Sequence, residues 1–340
     1  MRILVEVTHP AHVHFFRNAI GDWKSHGHEV AVTAREKEIV IELLNLYGIE
    51  HTVLSSIGKG KLSLFSELIK RDYKLWQFCR KFKPDVLTAI GGVFAAHAGF
   101  LCRKSVVVWD DTEHAGISHK MTFPFATAVY TPDCYSINLG KKQIRYAGCH
   151  ELAYLHPNRF TPDKNVLKDI GIDPDEKYCL VRFVSWQAHH DVGQHGFEKN
   201  AKVEFISEIS KYAKVYITSE AELPKELEEY KLKIPVHQIH HLMAFASLCV
   251  TEGATMASES AVLGVPVIYI NTLTAGTIQE FAKYELLEHI TDTQKAMNRA
   301  VELLKNPENK KTALQNYLQG KIDVTQYIAE TIEQSRMKII

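Results

Sequence analysis

Short runs of branched apolar residues alternate with longer amphipathic stretches from one end of this sequence to the other. Ile3 to Val7 is followed by a His-rich loop and then by helical spacing over Phe15 to Lys24. Glu29 to Thr33 and Glu36 to Tyr47 repeat the pair, with Gly48 stopping the helix. Ser63 to Lys83 is a long amphipathic helix ended before Pro84, and Asp85 to Ile90 and Ser105 to Trp109 are buried strands. A second series runs from the strand Tyr178 to Val184 through the helix Lys199 to Tyr212 and the strand Lys214 to Thr218. It closes with Leu248 to Thr251, a helix over Met256 to Leu263, and Pro266 to Ile270. Such alternation predicts βαβ units and parallel sheets, so the fold class is α/β, with two Rossmann-like doubly wound halves. A loop-rich stretch near Pro157, Pro162 and Pro174 separates them. The expected domains are 1–156 and 177–322, with a helix in 323–340 placed to pack back on the first.

The 340 residues suit two domains of about 150 each. Forty basic residues balance forty acidic ones, so no global field draws nucleic acid or an anionic membrane. Six scattered cysteines form no CxxC pair, which argues against a disulfide framework and a zinc site and fits a reducing compartment. The start lacks a signal-peptide core, and no apolar run reaches the roughly 18 residues of a membrane span. A cytoplasmic protein is expected, with at most peripheral membrane contact.

The stretch from Thr251 to Pro266 is the most informative. A strand ends at Thr251, Gly253 and Ala254 make a small-residue turn, and Thr255 is placed to cap the next helix. Small residues let backbone approach a ligand, and a helix N-terminus favours phosphate. Glu259, one turn in, is placed to accept hydrogen bonds from a ribose diol. A well-capped helix, with Glu259 serving only the helix dipole, is the structural alternative.

The string EGATMASESAVLGVPVIY resembles the donor-binding segment of GT-B-fold proteins. It is similar to segments of the non-hydrolysing UDP-N-acetylglucosamine 2-epimerases and of the lipid-intermediate N-acetylglucosaminyltransferase of peptidoglycan synthesis. The resemblance implies two Rossmann-like domains facing a central cleft. It also implies diphosphate contact at Gly253, Ala254, Thr255 and Met256, ribose contact at Glu259, and a nucleobase held near Ile239 and His240. The strings WDDTEHAG, GCHELAYLHP and RFVSWQAHHDVG resemble a branch of this superfamily described as a domain of unknown function.

Ligands of open α/β sheets sit at the carboxyl ends of strands, and four loops rich in titratable groups leave such ends. The first carries His9, His12 and His14, each a general base, a phosphate contact or a histidine satisfied by a backbone carbonyl. The second carries Gly91 and Gly92, for close approach of a ligand or for a tight turn. The epimerases hold a catalytic aspartate just after this position, and this chain has no carboxylate there. In the third, Asp111 and Glu113 beside His114 have the makings of a general base, against the alternative of a solvated acidic cap. In the fourth, His189 or His190 is placed for the diphosphate, with Asp191 orienting the ring. Lys59, Lys61, Lys70, Arg71, Lys74, Arg80, Lys81 and Lys83 make a basic stretch. It is either a solvated helix face or a membrane-edge patch for a lipid-linked acceptor.

The leading functional expectation is a glycosyltransferase using a UDP-sugar, with no metal and no further cofactor. A lipid-linked or saccharide acceptor would take the sugar, and the base would be chosen among Asp111, Glu113, His12 and His14. The alternatives are a non-hydrolysing UDP-sugar 2-epimerase and a nucleotide-sugar-binding protein without chemistry.

Overall fold

In the computed structural model, residues 1–56, 61–184, 197, 199–219 and 222–335 are described. The chain divides into two compact units, one comprising Met1–Arg159 with the stretch from Ile322, the other Phe160–Lys321.

The first unit holds a seven-stranded sheet of β1 (Arg2–Val7), β2 (Glu29–Glu36), β3 (Thr52–Ser56), β4 (Val86–Ile90), β5 (Ser105–Trp109), β6 (Ala128–Pro132) and β7 (Gln143–Tyr146). Its helices are α1 (Pro10–Ser25), α2 (Val40–Leu46), α3 (Lys61–Phe82), α4 (Val93–Leu101), α5 (Gly116–Thr122) and α6 (Leu152–Leu155). The strand order is β3-β2-β1-β4-β5-β6-β7, and every pairing is parallel. Parallel strands are covered on both faces, which is why β1, β4 and β5 read as continuous apolar runs. The order reverses between β1 and β4, so the switch point lies where those two strands end.

The second unit holds α7 (Asn165–Asp169), β8 (Tyr178–Phe183), α8 (Lys199–Ile209), β9 (Lys214–Ser219), α9 (Ile239–Ala244), β10 (Leu248–Thr251) and α10 (Ala254–Val262). These are followed by β11 (Val267–Tyr269), α11 (Gly276–Lys283), β12 (Glu288–His289), α12 (Thr293–Lys305) and α13 (Lys311–Leu318). Its parallel sheet runs β12-β11-β10-β8-β9, with the switch point between β8 and β10. Phe183, Phe205, Ile217, Val250 and Leu303 lie in its core.

The last helix, α14 (Val324–Ser335), returns to the first unit. Trp23 Nε1 donates to the Ala329 carbonyl at 3.3 Å, and Thr325 Oγ1 donates to that of Ala153. Arg159 bonds Asp22 and Asp323 through separate nitrogens, at 3.1 and 2.7 Å. The expected linker 157–176 is largely part of the second unit. The main-chain N–H of Asp163 donates to His241 Nδ1 at 3.0 Å, and the Phe160 ring lies 4.8 Å from that of His241.

Three local expectations change. The His-rich loop is already helix: Pro10 opens α1, and the His9 side chain caps it by accepting from Ala11 N. The helix expected from Glu36 starts at Val40, because β2 runs to Glu36 and Glu38 has φ 50°. Thr255 is not the cap of α10; Gly253 is, and Thr255 lies within the first turn.

Candidate functional site

The clearest construction lies at the switch point of the five-stranded sheet. Thr251 Oγ1 accepts from Gly253 N at 2.9 Å and fixes the turn leaving β10. Glu252 is 1% exposed. Its carboxylate accepts from Val184 N at 3.0 Å and Phe197 N at 2.8 Å, with Lys202 Nζ at 3.4 Å. Asn271 Nδ2 donates to the Glu252 carbonyl at 2.9 Å. One buried carboxylate thus ties the end of β8 to the end of β10 and braces the turn. A Cβ on Gly253 would lie 3.3 Å from Val184 Cγ1 and 3.9 Å from Arg182 Nε. Gly253, the cap of α10, has no side chain to close the turn, Ala254 and Thr255 are exposed, and Met256 is buried. The first main-chain N–H groups of α10, with the positive end of the helix dipole, are of the kind that suits an anion.

Glu259 and His240 come together here. His240 Nε2 is 2.9 Å from Glu259 Oε1, and the two side chains are 2% and 10% exposed. Ile239, which opens α9, is half-buried. His189, His190 and Asp191 lie outside the described residues.

The corresponding switch point of the first sheet is closed. Gly91 and Gly92 have φ of 65° and 59°, which only glycine adopts without strain, and a Cβ on Gly92 would lie 3.1 Å from that of Ala89. The α4 N-terminus behind them is already occupied. Ala95 N donates to Glu6 Oε2 at 3.0 Å, and Arg71 donates to Glu6 Oε1 from Nε at 3.2 Å and Nη2 at 2.9 Å. Glu6 and Arg71 are 1% and 0% exposed. The glycines therefore serve the turn, and a protein carboxylate stands where an external anion would otherwise bind. Arg71 also leaves the basic stretch, as does Lys74, whose Nζ bonds the Leu54 carbonyl. Lys59 lies outside the described residues, and the side chain of Lys61 is likewise not described.

Beyond β5, β6 and β7 the first unit gathers titratable groups. Asp111 Oδ2 is 3.0 Å from His150 Nδ1; His150 is buried, whereas the Asp111 side chain is 29% exposed. Burial pushes the Asp111 carboxyl up, but the His150 charge and the bonds from His150 and Thr112 outweigh it, leaving the group at about 2. Burial likewise pulls His150 down, and Asp111, with help from Glu151 and Asp110, raises it overall. The two directions agree: this is an ion pair with a sheltered imidazole behind a partly open carboxylate. His150 Nε2 has no hydrogen-bond partner among the described residues.

His12 lies next to this pair and is held well below the ordinary histidine range, by burial first and then by His9 and His150. Thr8 N donates to its Nδ1 at 3.4 Å. The Thr8 hydroxyl is also 3.4 Å from Nδ1, and a neutral imidazole keeps one ring nitrogen able to accept a proton. His9 is used by its cap, with Nδ1 accepting from Ala11 N. His14 is buried against Tyr154, ring centroids 5.3 Å apart, with the Tyr47 hydroxyl 3.4 Å from its Nδ1. Glu113 is 7% exposed and accepts from Ser136 N at 2.8 Å, holding the loop after β6. Asp110 is 2% exposed and accepts from Thr112 N and the Tyr135 hydroxyl. His114 is exposed. Of the two candidate carboxylates, Asp111 is the more accessible.

Two residues, one in each unit, escape a reading of the sequence. His150 lies in GCHELAYLHP, just beyond β7, a strand of only four residues, QIRY, too short for its alternation to stand out; without the strand, the loop is not recognisable as a strand end. Glu252 has a signal in hindsight, a lone carboxylate wedged between an apolar strand and a glycine turn.

A Neisseria meningitidis UDP-GlcNAc 2-epimerase bound to UDP-GlcNAc is similar in structure, with a TM-score of 0.72 at 14% identity, covering 98% of this chain and 100% of that one. A UDP-N-acetylglucosamine 2-epimerase from Rickettsia bellii gives 0.70 at 13%, covering 100% and 98%. MurG from Acinetobacter baumannii gives 0.61 at 14%, covering 98% and 99%. These likenesses establish the GT-B type of fold. In sequence, Uncharacterized protein MJ0665 of Methanocaldococcus jannaschii is 24% identical over 282 residues, 78% of this chain and 80% of that protein. A family model matches residues 1–333, and the chain belongs to that family, described as Protein of unknown function (DUF354).

Proposed function

We propose that this protein is a metal-independent glycosyltransferase that uses a UDP-sugar as donor. The observation that carries the reading is the glycine-capped N-terminus of α10, braced at a sheet switch point by Glu252 and followed by the buried Glu259. That arrangement suits a nucleoside diphosphate: main-chain N–H groups for the phosphates, a carboxylate for the ribose. The UDP-GlcNAc in the Neisseria epimerase of the same fold supports the choice of nucleotide.

The first unit supplies the base. As an acceptor hydroxyl attacks the anomeric carbon, its proton passes to Asp111 and the bond from that carbon to the diphosphate oxygen breaks. The leaving UDP takes the electron pair, and its growing charge is met by the N–H groups and dipole of α10, so the step requires no divalent ion. Asp111 is ionised across the neutral range. Its basicity is limited by the His150 charge and increases when His150 gives up its proton.

The test is a product survey by mass spectrometry with a panel of UDP-sugars, with and without cell-extract acceptors. Acceptor-dependent release of UDP is expected. Acceptor-independent formation of a 2-epimer would instead make the protein an epimerase, and tight UDP binding without turnover would make it a sensor.

A further inference from the structure

The C-terminus of α1 closes in a Schellman turn that carries two histidines. Gly27, at φ 78°, donates its N–H to the Lys24 carbonyl at 3.0 Å, and His28 donates its own to that of Trp23 at 2.9 Å. His26 is the cap before that glycine, so the two imidazoles of His-Gly-His leave one well-defined turn. Both meet the same residue of α14. His26 Nδ1 is 2.9 Å and His28 Nε2 3.2 Å from a single oxygen, Glu333 Oε1. We infer that His26, His28 and Glu333 form a structural site for a divalent transition metal of the zinc class, clipping α14 to the end of α1.

Ligand type and spacing carry the inference. Two imidazole nitrogens and a carboxylate oxygen suit zinc, nickel or copper, whereas magnesium and calcium take oxygen ligands. Ligands at about 2.0–2.1 Å in a tetrahedron stand roughly 3.3 Å from one another, so both nitrogen–oxygen separations already match. The rings stand at 90° with centroids 6.4 Å apart, and His26, its side chain 56% exposed, has room to turn its nitrogen towards that of His28. His28 Nδ1 lies 3.1 Å from the Met1 nitrogen, which leaves Nε2 for the carboxylate side. The carbonyl dipoles at the end of α1 add negative potential that favours a cation. Water completes the fourth position. One turn earlier on α14, the Ala329 carbonyl receives the Trp23 Nε1 bond, so the cation reinforces an existing contact. The histidines precede β2, at the amino end of the strand, opposite to the end at which open α/β sheets bind substrate. The site therefore holds structure and stands independently of the nucleotide reading. Cysteine spacing does not reveal it, because it contains no cysteine.

The experiment is calorimetric titration of the full chain, free of any histidine tag and stripped with EDTA, with zinc chloride, paired with thermal melts in zinc and in magnesium. Wild type is expected to bind zinc with micromolar or tighter affinity and to melt several degrees higher in excess zinc, with no shift in magnesium. His26→Ala and Glu333→Gln should each weaken zinc by ~10-fold or more, the least that losing a direct ligand costs, and should remove the thermal shift. Circular dichroism checks folding, and His26→Ala, an exposed change, keeps the test decisive should Glu333→Gln unfold. Absence of zinc binding by wild type, or equally tight binding by His26→Ala, overturns the site. A thermal shift that magnesium reproduces overturns the metal class. Zinc binding that is lost in His26→Ala but never raises the wild-type melting temperature overturns the clipping role.

Discussion

Asp111 and His150, 39 positions apart in sequence, meet at 3.0 Å between Oδ2 and Nδ1, the carboxylate partly open and the imidazole buried behind it. The pair divides two properties that a general base needs, access and adjustable charge. Asp111→Asn removes the accepting oxygen while leaving the second unit untouched. UDP affinity should stay within about 2-fold of wild type and turnover should fall by ~100-fold or more. Equal turnover would move the base elsewhere.

The same pair fixes a pH dependence. Because Asp111 raises His150, more of the imidazole keeps its proton at neutral pH than in a free histidine, and the acidic limb of kcat/KM should report the loss of that proton. His150→Gln removes the charge, so the limb should move to lower pH, towards the titration of Asp111 alone. A limb that stays in place would show that His150 does not govern it.

A second histidine links pH to stability. His97 Nδ1 is 2.9 Å from Asp72 Oδ2, and Nε2 is 3.0 Å from the Met121 carbonyl; two acceptors call for both ring protons. The Asp72 bond is the largest cause of a raised pKa, against partial desolvation. The stabilisation is therefore fully present below the unfolded value near 6.5 and disappears as pH rises through the raised folded value. The urea midpoint of wild type should exceed that of His97→Gln at pH 5.5, and the gap should narrow by pH 8.5. A gap that widens with pH would contradict the assignment.

The Glu6–Arg71 pair is sealed from water, so breaking it is worse than removing it. Arg71→Met leaves a buried carboxylate uncompensated and should cost about 3–5 kcal/mol in urea unfolding. Glu6→Gln with Arg71→Met should recover much of that loss. Similar stabilities for the single and double variants would place the penalty in packing around Phe94, over whose ring the guanidinium lies.

The architecture was legible because parallel strands buried on both faces spell themselves as Val, Ile and Leu runs, as in β4, β5 and β10. What was lost was lost for local reasons. At β3, Val53 is 45% exposed, so burial leaves no alternating trace. β6 and β7 are short, the first ending in Pro132 and the second only four residues long. Missing β7 hid His150. The glycine turns were visible in both halves, but their chemistry was not. Only the structure reveals that Glu6 fills the N-terminus of α4, whereas Glu252 turns away from that of α10 to bind Val184 and Phe197. Likewise the histidines of the first loop divide by hydrogen bonding rather than by residue type.

The central claim is a nucleoside diphosphate site at the N-terminus of α10, and isothermal titration of UDP in the presence of EDTA tests it most directly. One saturable site per chain is predicted, unaffected by the chelator because main-chain N–H groups and the helix dipole meet the phosphate charge. Glu259→Ala, folded, should bind about 1.5–3 kcal/mol more weakly, the scale of a hydrogen bond to a charged group. No saturable heat with wild type, binding that requires magnesium or manganese, or an unchanged affinity in Glu259→Ala would contradict the account.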